Sequence, residues 1–205
     1  MFTHIFYPNL PIFLSVTFSS LYISFLIKPI ACVGCIGQGT IVSSTSYGCP
    51  GGPERSNSFW CSVFPASNIF SPDTDSWPGL NRPRHGGPAN YWLTEDNKSG
   101  PDQGFVLYLG CSKTIVGVAL RNCHNDKHRD RSTKKFRLLG SVHKEGPWQE
   151  LLEKRLEDSR RQNPPPMQAF KFANPAEVKF IKFEVLEYWG KGGGLQYFKT
   201  MTPTV

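Results

Sequence analysis

The stretch that decides the fold runs from Phe105 to Gly140, with the sequence FVLYLGCSKTIVGVALRNCHNDKHRDRSTKKFRLLG. Three short segments of it, 105–109, 114–121 and 135–139, are rich in β-branched, aromatic and leucine residues and are separated by turn-forming or charged residues. This pattern is typical of consecutive strands of a sheet. We therefore predict three strands in this part of the chain.

Between the second and third predicted strands lies the segment 124–133, HNDKHRDRST, which we call the basic loop. It has no apolar side chain to bury, so we expect it to lie in solvent at one end of the sheets. Its arginines offer a planar fork to carboxylate, sulfate or phosphate, and its histidines and asparagine offer donors to sugar hydroxyls. The basic loop is therefore the first candidate for a working surface.

The composition favours a single all-β domain. The chain has 205 residues, of which 39% are hydrophobic and 13% aromatic, enough for one core. Gly and Pro number 19 and 17, and long runs with a 3.6-residue apolar period are scarce, which favours a sandwich or barrel with many turns. The net charge of +7 favours anionic partners and salt-sensitive association, although a mildly basic surface without function is the more economical interpretation of composition alone.

The first 31 residues form a hydrophobic extension. No charged residue occurs before Lys28, and the segment 10–27 is mostly apolar. Its length and position fit either a signal peptide cleaved before Cys32 or an uncleaved membrane anchor. Both alternatives predict a secreted or membrane-anchored extracellular protein, and a cytoplasmic location follows if the segment is not a signal.

The segment 32–58 is rich in Gly, Ser and Pro and poor in apolar residues, so we interpret it as a linker. The even number of cysteines in the chain is compatible with disulfide bonds, and six cysteines allow fifteen pairings that the sequence leaves open. A bridge between Cys111 and Cys123 is disfavoured because the two residues bracket a strand. The tripeptide Asn97-Lys98-Ser99 is an N-glycosylation sequon, which matters if the chain is exported.

Further strands are predicted towards the C terminus. The segments 167–172 and 178–186 have the composition of strands, 188–194 is expected to be a flexible loop, and 195–198 a short closing strand. The pattern at 146–153 fits either a fourth strand or one face of a helix.

Seven segments, in this order, resemble the discoidin family, also called the coagulation factor 5/8 type C domain. The resemblance covers about residues 60–198 and implies an antiparallel jelly-roll β-sandwich of the galactose-binding-like type with long loops, which we place at 59–200. The segments are Tyr91-Trp92, Phe105–Gly110 in place of the strand ending in Asp-Leu-Gly, Ile115–Asn122, Lys135–Ser141, Trp148–Leu151, Phe170–Phe172 followed by Val178–Leu186, and Gly193–Phe198.

The chain departs from the family pattern at three points. It has no cysteine after Cys123, so the disulfide that often joins the two ends of the domain is absent. Tyr108 replaces the usual Asp, and Gln196 stands near the place where glycan-binding members often have an acid.

The resemblance also implies where ligands bind, because family members hold them on loops at one end of the sandwich. Together with the chemistry of the basic loop and of nearby rings, this gives a set of candidate ligand-binding residues. Members with a structural calcium hold it in the loop before the tryptophan, which makes three oxygen-bearing residues the candidate ligands of a calcium ion, the one cofactor considered. The ligand-binding candidates are Trp77, His124, Asn125, Lys127, His128, Arg129, Arg131, Tyr188 and Trp189, and the calcium candidates are Asp73, Asp75 and Asn90.

Catalytic chemistry finds no support in the sequence, which lacks a GxSxG motif, a P-loop, an HExxH motif and a dinucleotide fingerprint. The sequence therefore predicts a non-enzymatic binding or adhesion module for a carbohydrate or an anionic cell-surface group. The alternative is an intracellular protein–protein interaction adaptor with the same fold. Membrane contact is possible through the N-terminal segment. Nucleic-acid binding is disfavoured because basic and aromatic residues do not alternate along one strand face.

Overall fold

The computed structural model describes residues 39–46, 66–70, 91–124, 128–162 and 165–204. These residues form seven β-strands and one short 3₁₀ helix, Ala66–Phe70. The strands are β1 (Thr40–Ser44), β2 (Trp92–Leu93), β3 (Gly104–Asn122), β4 (Arg131–Ser141), β5 (Gln149–Arg155), β6 (Met167–Gly190) and β7 (Gly194–Met201).

Two long strands organise the sandwich. The pairings between the seven described strands are antiparallel, and the strand order is β2-β7-β3-β6-β4-β5, with β1 added to β3. The first part of β3 lies between β1 and the second half of β6, whereas its last part, from Gly117, lies between β7 and the first residues of β6. Strands β3 and β6 therefore serve both layers.

The core is built from the inward faces of these strands. In β6 the side chains of Ile181, Phe183 and Val185 are fully buried on the core face. On the other face Lys182 is partly exposed, whereas Glu184 is buried in ion pairs with Arg137 and Lys182. Phe183 stacks on the ring of Phe105, with 5.1 Å between ring centroids.

Aromatic rings connect the two layers across the core. The ring centroid of Phe198, from β7, lies 5.5 Å from that of Phe105 and 6.4 Å from that of Phe183, and its ring is nearly perpendicular to both. Phe136 of β4 stacks on Phe183 and meets Phe170 of the first half of β6 edge-on at 5.4 Å. Edge-on and offset stacking are the arrangements that aromatic pairs prefer. The all-β antiparallel sandwich predicted from the sequence is confirmed.

The predicted strand boundaries need correction. The segments 105–109 and 114–121 belong to one strand, β3, because the chain stays extended through 110–113 and makes only a bulge there, with Gly110 at a φ of 83°. The segments 167–172 and 178–186 likewise merge into β6, which continues to Gly190 and so includes the first three residues of the predicted flexible loop 188–194.

Three further expectations can be compared with the structure. Strand β1 lies within the segment 32–58, so residues 40–44 are part of a sheet and not of a linker. The ambiguous segment at 146–153 contributes to strand β5 and not to a helix. Cys123 is a buried thiol, and the disfavoured bridge between it and Cys111 does not form.

The hydrophobic segment 1–31 lies outside the described residues. Within the part that is described, no helix is long and apolar enough to cross a membrane.

Candidate functional site

Four connections meet at one end of the sandwich, which we call the loop end. They are residues 94–99 after β2, 123–130 between β3 and β4, 156–162 after β5, and 191–193 between β6 and β7. Strand pairing brings them together, because Arg131 at the start of β4 is the partner of Gly190 at the end of β6. The described residues of the basic loop, 124 and 128–133, therefore lie at one end of the sandwich, as predicted, but 131–133 are buried residues of β4 and do not lie in solvent as expected.

Backbone hydrogen bonds fix three of these connections to one another. The N–H of Lys191 donates to the carbonyl of Asp130 at 2.6 Å, and the N–H of Asn97 donates to the carbonyl of Lys191 at 2.7 Å. The N–H of Thr94 donates to the carbonyl of Gly193 at 3.1 Å. The loop end is thus a fixed surface on which side chains can be held in place before a ligand arrives.

Arg131 supports the loop end from inside. Its side chain is only 4% exposed, its Nη1 donates to the carbonyl of Thr94 at 2.8 Å, and its Nη2 contacts the carboxylate of Asp96. A Cβ on Gly192 would lie 2.8 Å from Nη1 of Arg131, so glycine leaves room for the guanidinium. The prediction that Arg131 contacts a ligand in solvent does not match this placement and is corrected. Strand β4 begins at Arg131, which turns this side chain inward.

Beneath the loop end lies a group of four buried, hydrogen-bonded polar side chains, which we call the polar floor: Asn122, Ser132, Thr133 and Ser159. The Nδ2 of Asn122 donates to the carbonyls of Thr133 and Glu157 at 2.8 and 3.0 Å, and its Oδ1 accepts the N–H of Cys123 and of Thr133 at 3.0 and 2.9 Å. The hydroxyl of Thr133 both donates to the carbonyl and accepts the N–H of Gly194. The side-chain amide of Asn122 therefore makes four hydrogen bonds, two as donor and two as acceptor, and they join β3, β4 and the connection after β5.

Two serines attach the connection after β5 to the same floor. The hydroxyl of Ser159 is fully buried, lies 3.1 Å from the hydroxyl of Ser132 and donates to the carbonyl of Cys123 at 2.8 Å. Sequence reasoning missed this polar floor because Asn122, Ser132, Thr133 and Ser159 look like solvent-facing loop residues. Asparagine directly after an apolar strand was the one available signal.

The exposed part of the basic loop carries His128 and Arg129. Arg129 has a φ of 50°, in the left-handed region that side chains other than glycine, asparagine and aspartate seldom occupy. No carboxylate of the described residues forms an ion pair with Arg129. Its guanidinium is therefore presented to solvent and remains available.

Trp189 lies beside two cationic side chains. The Nζ of Lys134 is 4.8 Å and the Cζ of Arg160 is 5.9 Å from the centroid of its half-buried ring, both within the range of a cation–π interaction. A sugar that stacks on this ring would compete with these cations. The ring of Tyr188 packs against the hydrophobic core.

Both cations beside Trp189 also bind carboxylates, and this lowers the pKa values of those acids. The side-chain hydrogen bond from Lys134, 3.0 Å from the carboxylate of Glu187, is the main cause that lowers the pKa of Glu187. The hydrogen bond from Arg160, at 2.7 Å, is the main cause that lowers the pKa of Asp158. Both acids are therefore ionised over the physiological pH range.

Comparison with known proteins shows the fold. No protein-family model matches the chain, and no curated protein matches it either. Among solved structures, the family 32 carbohydrate-binding module of Streptococcus pneumoniae EndoD is 14% identical, with a TM-score of 0.55, and the match covers 82% of this chain and 99% of that module. The chain has the galactose-binding-like β-sandwich fold.

Two further neighbours of the same module family were solved with sugars. The family 32 module of C. perfringens NanJ, in complex with galactose, is 13% identical with a TM-score of 0.53, and the match covers 80% of this chain and 93% of that one. CpGH89CBM32-5 from Clostridium perfringens, in complex with GalNAc-β-1,3-galactose, is 17% identical with a TM-score of 0.53 and coverages of 80% and 94%.

The remaining residues singled out in the sequence are not all on the exposed surface of the loop end. His124 is buried and so does not face solvent at the loop end, contrary to the exposed position predicted for the whole basic loop. Asn97 of the sequon is exposed, with a φ of 57°.

Six candidates lie outside the described residues, namely Trp77, Asn125 and Lys127 for ligand binding and Asp73, Asp75 and Asn90 for calcium. Within the described ranges, no three metal-ligating side chains come together.

Proposed function

We propose that this chain is a non-catalytic carbohydrate-binding module whose ligand contacts the exposed surface of the loop end. The observation that carries the proposal is the fixed loop end, where His128 and Arg129 are exposed above a fully hydrogen-bonded floor. Sugar hydroxyls need such donors at fixed positions, because rigid groups lose little conformational entropy on binding.

Two structural neighbours support the choice of a sugar as the ligand. Their solved complexes contain galactose and GalNAc-β-1,3-galactose, on the same sandwich as in this chain. A galactose-type sugar is accordingly the first ligand to test.

The experiment is a glycan array probed with the full chain and with two variants. The double variant His128→Ala and Arg129→Ala removes the exposed donors of the basic loop, and we expect at least a tenfold loss of affinity, equivalent to about 1.4 kcal/mol. The control is Lys144→Ala, because Lys144 is exposed on the connection between β4 and β5 at the opposite end of the sandwich. Absence of binding to every glycan, or equal binding of the double variant and the control, would refute the proposal.

We also propose that the module lies outside the cell, either secreted or tethered by the segment 1–31. Mass spectrometry of the N terminus of the mature protein tests this part separately. A mature chain that begins near Cys32 supports secretion, and an intact N terminus in the membrane fraction supports tethering. An intact N terminus in the soluble cytosolic fraction would contradict both.

A further inference from the structure

Almost all acidic side chains described at the loop end form ion pairs with a Lys or Arg of the same chain. Four carboxylates of these connections, and that of Glu187 in the adjoining last residues of β6, each have a Lys or Arg partner, and Glu157 is the exception among the described residues of this end. The pairs are Glu95 with Lys98, Asp96 with Arg131, Asp130 with Lys191 at 3.9 Å, Asp158 with Arg160 at 2.7 Å, and Glu187 with Lys134 at 3.0 Å.

After this pairing two arginines and one glutamate, Glu157, remain, which is a net excess of one positive charge among the described residues of the loop end. Arg129 and Arg161 are exposed and form no ion pair with a carboxylate of the described residues. Lys191 is 66% exposed, and its pairing distance of 3.9 Å leaves room for a closer anion. The exposed surface of the loop end therefore favours the binding of a negatively charged group.

The backbone at Arg129 adds a second, independent observation. A long side chain at a φ of 50° costs conformational energy that glycine or asparagine would avoid. A strained, exposed arginine without a carboxylate partner among the described residues contributes nothing evident to stability, which favours a role in recognition.

We propose that the sugar recognised at the loop end carries an oxyanion, either a carboxylate or a sulfate, and that the Arg129 guanidinium binds it. This inference rests on the proposed function. The planar guanidinium fork can donate two parallel hydrogen bonds to either group, and charge-assisted bonds of this kind are about twice as strong as neutral ones. Arg129 is then a specificity-determining residue that separates acidic sugars from their neutral counterparts.

The test uses the full chain and matched sets of immobilised glycans that share a galactose-type backbone and differ only in a neutral hydroxyl, a sulfate ester or a carboxylate. We expect the acidic members to bind about 10 to 100 times more tightly than the neutral ones, the range of a hydrogen bond to a charged group. Arg129→Ala removes this preference, so that acidic and neutral members bind this variant within about twofold of each other. Arg129→Lys keeps part of the preference, because it retains the charge and loses the fork. Lys144→Ala is again the control, and melting temperatures verify that each variant is folded.

The possible outcomes separate the two proposals. Equal affinity for neutral and acidic members, or an unchanged preference in Arg129→Ala, overturns this inference and leaves the proposed function standing. Binding to none of the glycans overturns both. Vesicles that contain phosphatidylserine and no sugar form the last arm, and tighter binding to them than to acidic glycans would assign the oxyanion site to a lipid and overturn the inference.

Discussion

Arg131 shows at the residue scale how a charged side chain can support a site without touching the ligand. We predict that Arg131→Ala lowers the free energy of unfolding by about 2 to 3 kcal/mol, because the buried carbonyl of Thr94 and the carboxylate of Asp96 lose their common partner. Chemical denaturation measures the change. The matched control is Arg155→Ala, whose side chain is 61% exposed in a surface pair and which is expected to cost less than about 1 kcal/mol. Equal effects of the two substitutions would show that Arg131 is not a support.

The pair of Asp158 and Arg160 gives a prediction for pH dependence. The hydrogen bond from Arg160 lowers the pKa of Asp158 from its ordinary value of 3.8, so the pair stabilises the fold at neutral pH and this contribution is lost as the pH falls through the lowered pKa. The Asp158 side chain is 37% exposed, so solvent screens the pair and its effect on stability is small. In Arg160→Ala the pKa of Asp158 is expected to rise towards 3.8, and NMR titration of the side-chain carboxyl carbon measures it. An unchanged pKa would contradict the assignment of its cause.

Burial of single residues could be predicted from the sequence only where the side chain is apolar. Trp92 and Trp148 both match core tryptophans of the resembled family, and Trp92 is fully buried as that resemblance implies, whereas Trp148 is only half-buried. The inward position of Arg131 and His124 was missed, because hydropathy assigns charged and polar residues to solvent. Their placement depends on strand pairing, which a single sequence does not reveal.

The pairing of β3 with β6 supplies a prediction at the scale of secondary-structure elements. A Cβ on Gly104 would lie 1.8 Å from the carbonyl oxygen of Phe183, a backbone atom that cannot move without breaking the ladder. We expect Gly104→Ala to abolish folding or to cost more than about 4 kcal/mol, at the upper end of single substitutions. Circular dichroism and thermal melting provide the measurement.

Gly100→Ala is the control for this prediction. Gly100 has a φ of +108°, and no atom lies within 4 Å of the place that an added Cβ would take, so alanine there adds backbone strain without a clash. Its cost is expected to be about 1 kcal/mol. If Gly100→Ala is as damaging as Gly104→Ala, close packing between β3 and β6 is not the reason for the glycine.

The existence of the strands was more predictable than their ends. Alternation of apolar residues in 178–186 indicated a half-buried strand, and β6 contains it. Gly110 and Lys113 suggested a turn that divides 105–109 from 114–121, but the chain stays extended there because β3 continues along β6 beyond the bulge. Strand β1 was missed for a similar reason, since its five residues gain their order only by pairing with β3.

At the scale of the whole molecule, the sequence was sufficient for the architecture and insufficient for the site. A basic composition and a loop without apolar residues indicated one cationic end, and the structure brings that loop together with three other connections. The polar floor beneath it could not be predicted, because it joins residues as distant in sequence as Thr133 and Gly194. Such contacts follow from topology and not from any local pattern.

The central claim is that the loop end of this sandwich binds a sugar. The most direct test is a titration of the isotopically labelled full chain with the tightest-binding glycan, followed by backbone amide chemical shifts. We predict that the signals of His128, Arg129 and Lys191 shift progressively to saturation while those of 142–148, at the opposite end, stay unchanged. Shifts confined to 142–148, or no shifts at saturating glycan, would contradict the claim.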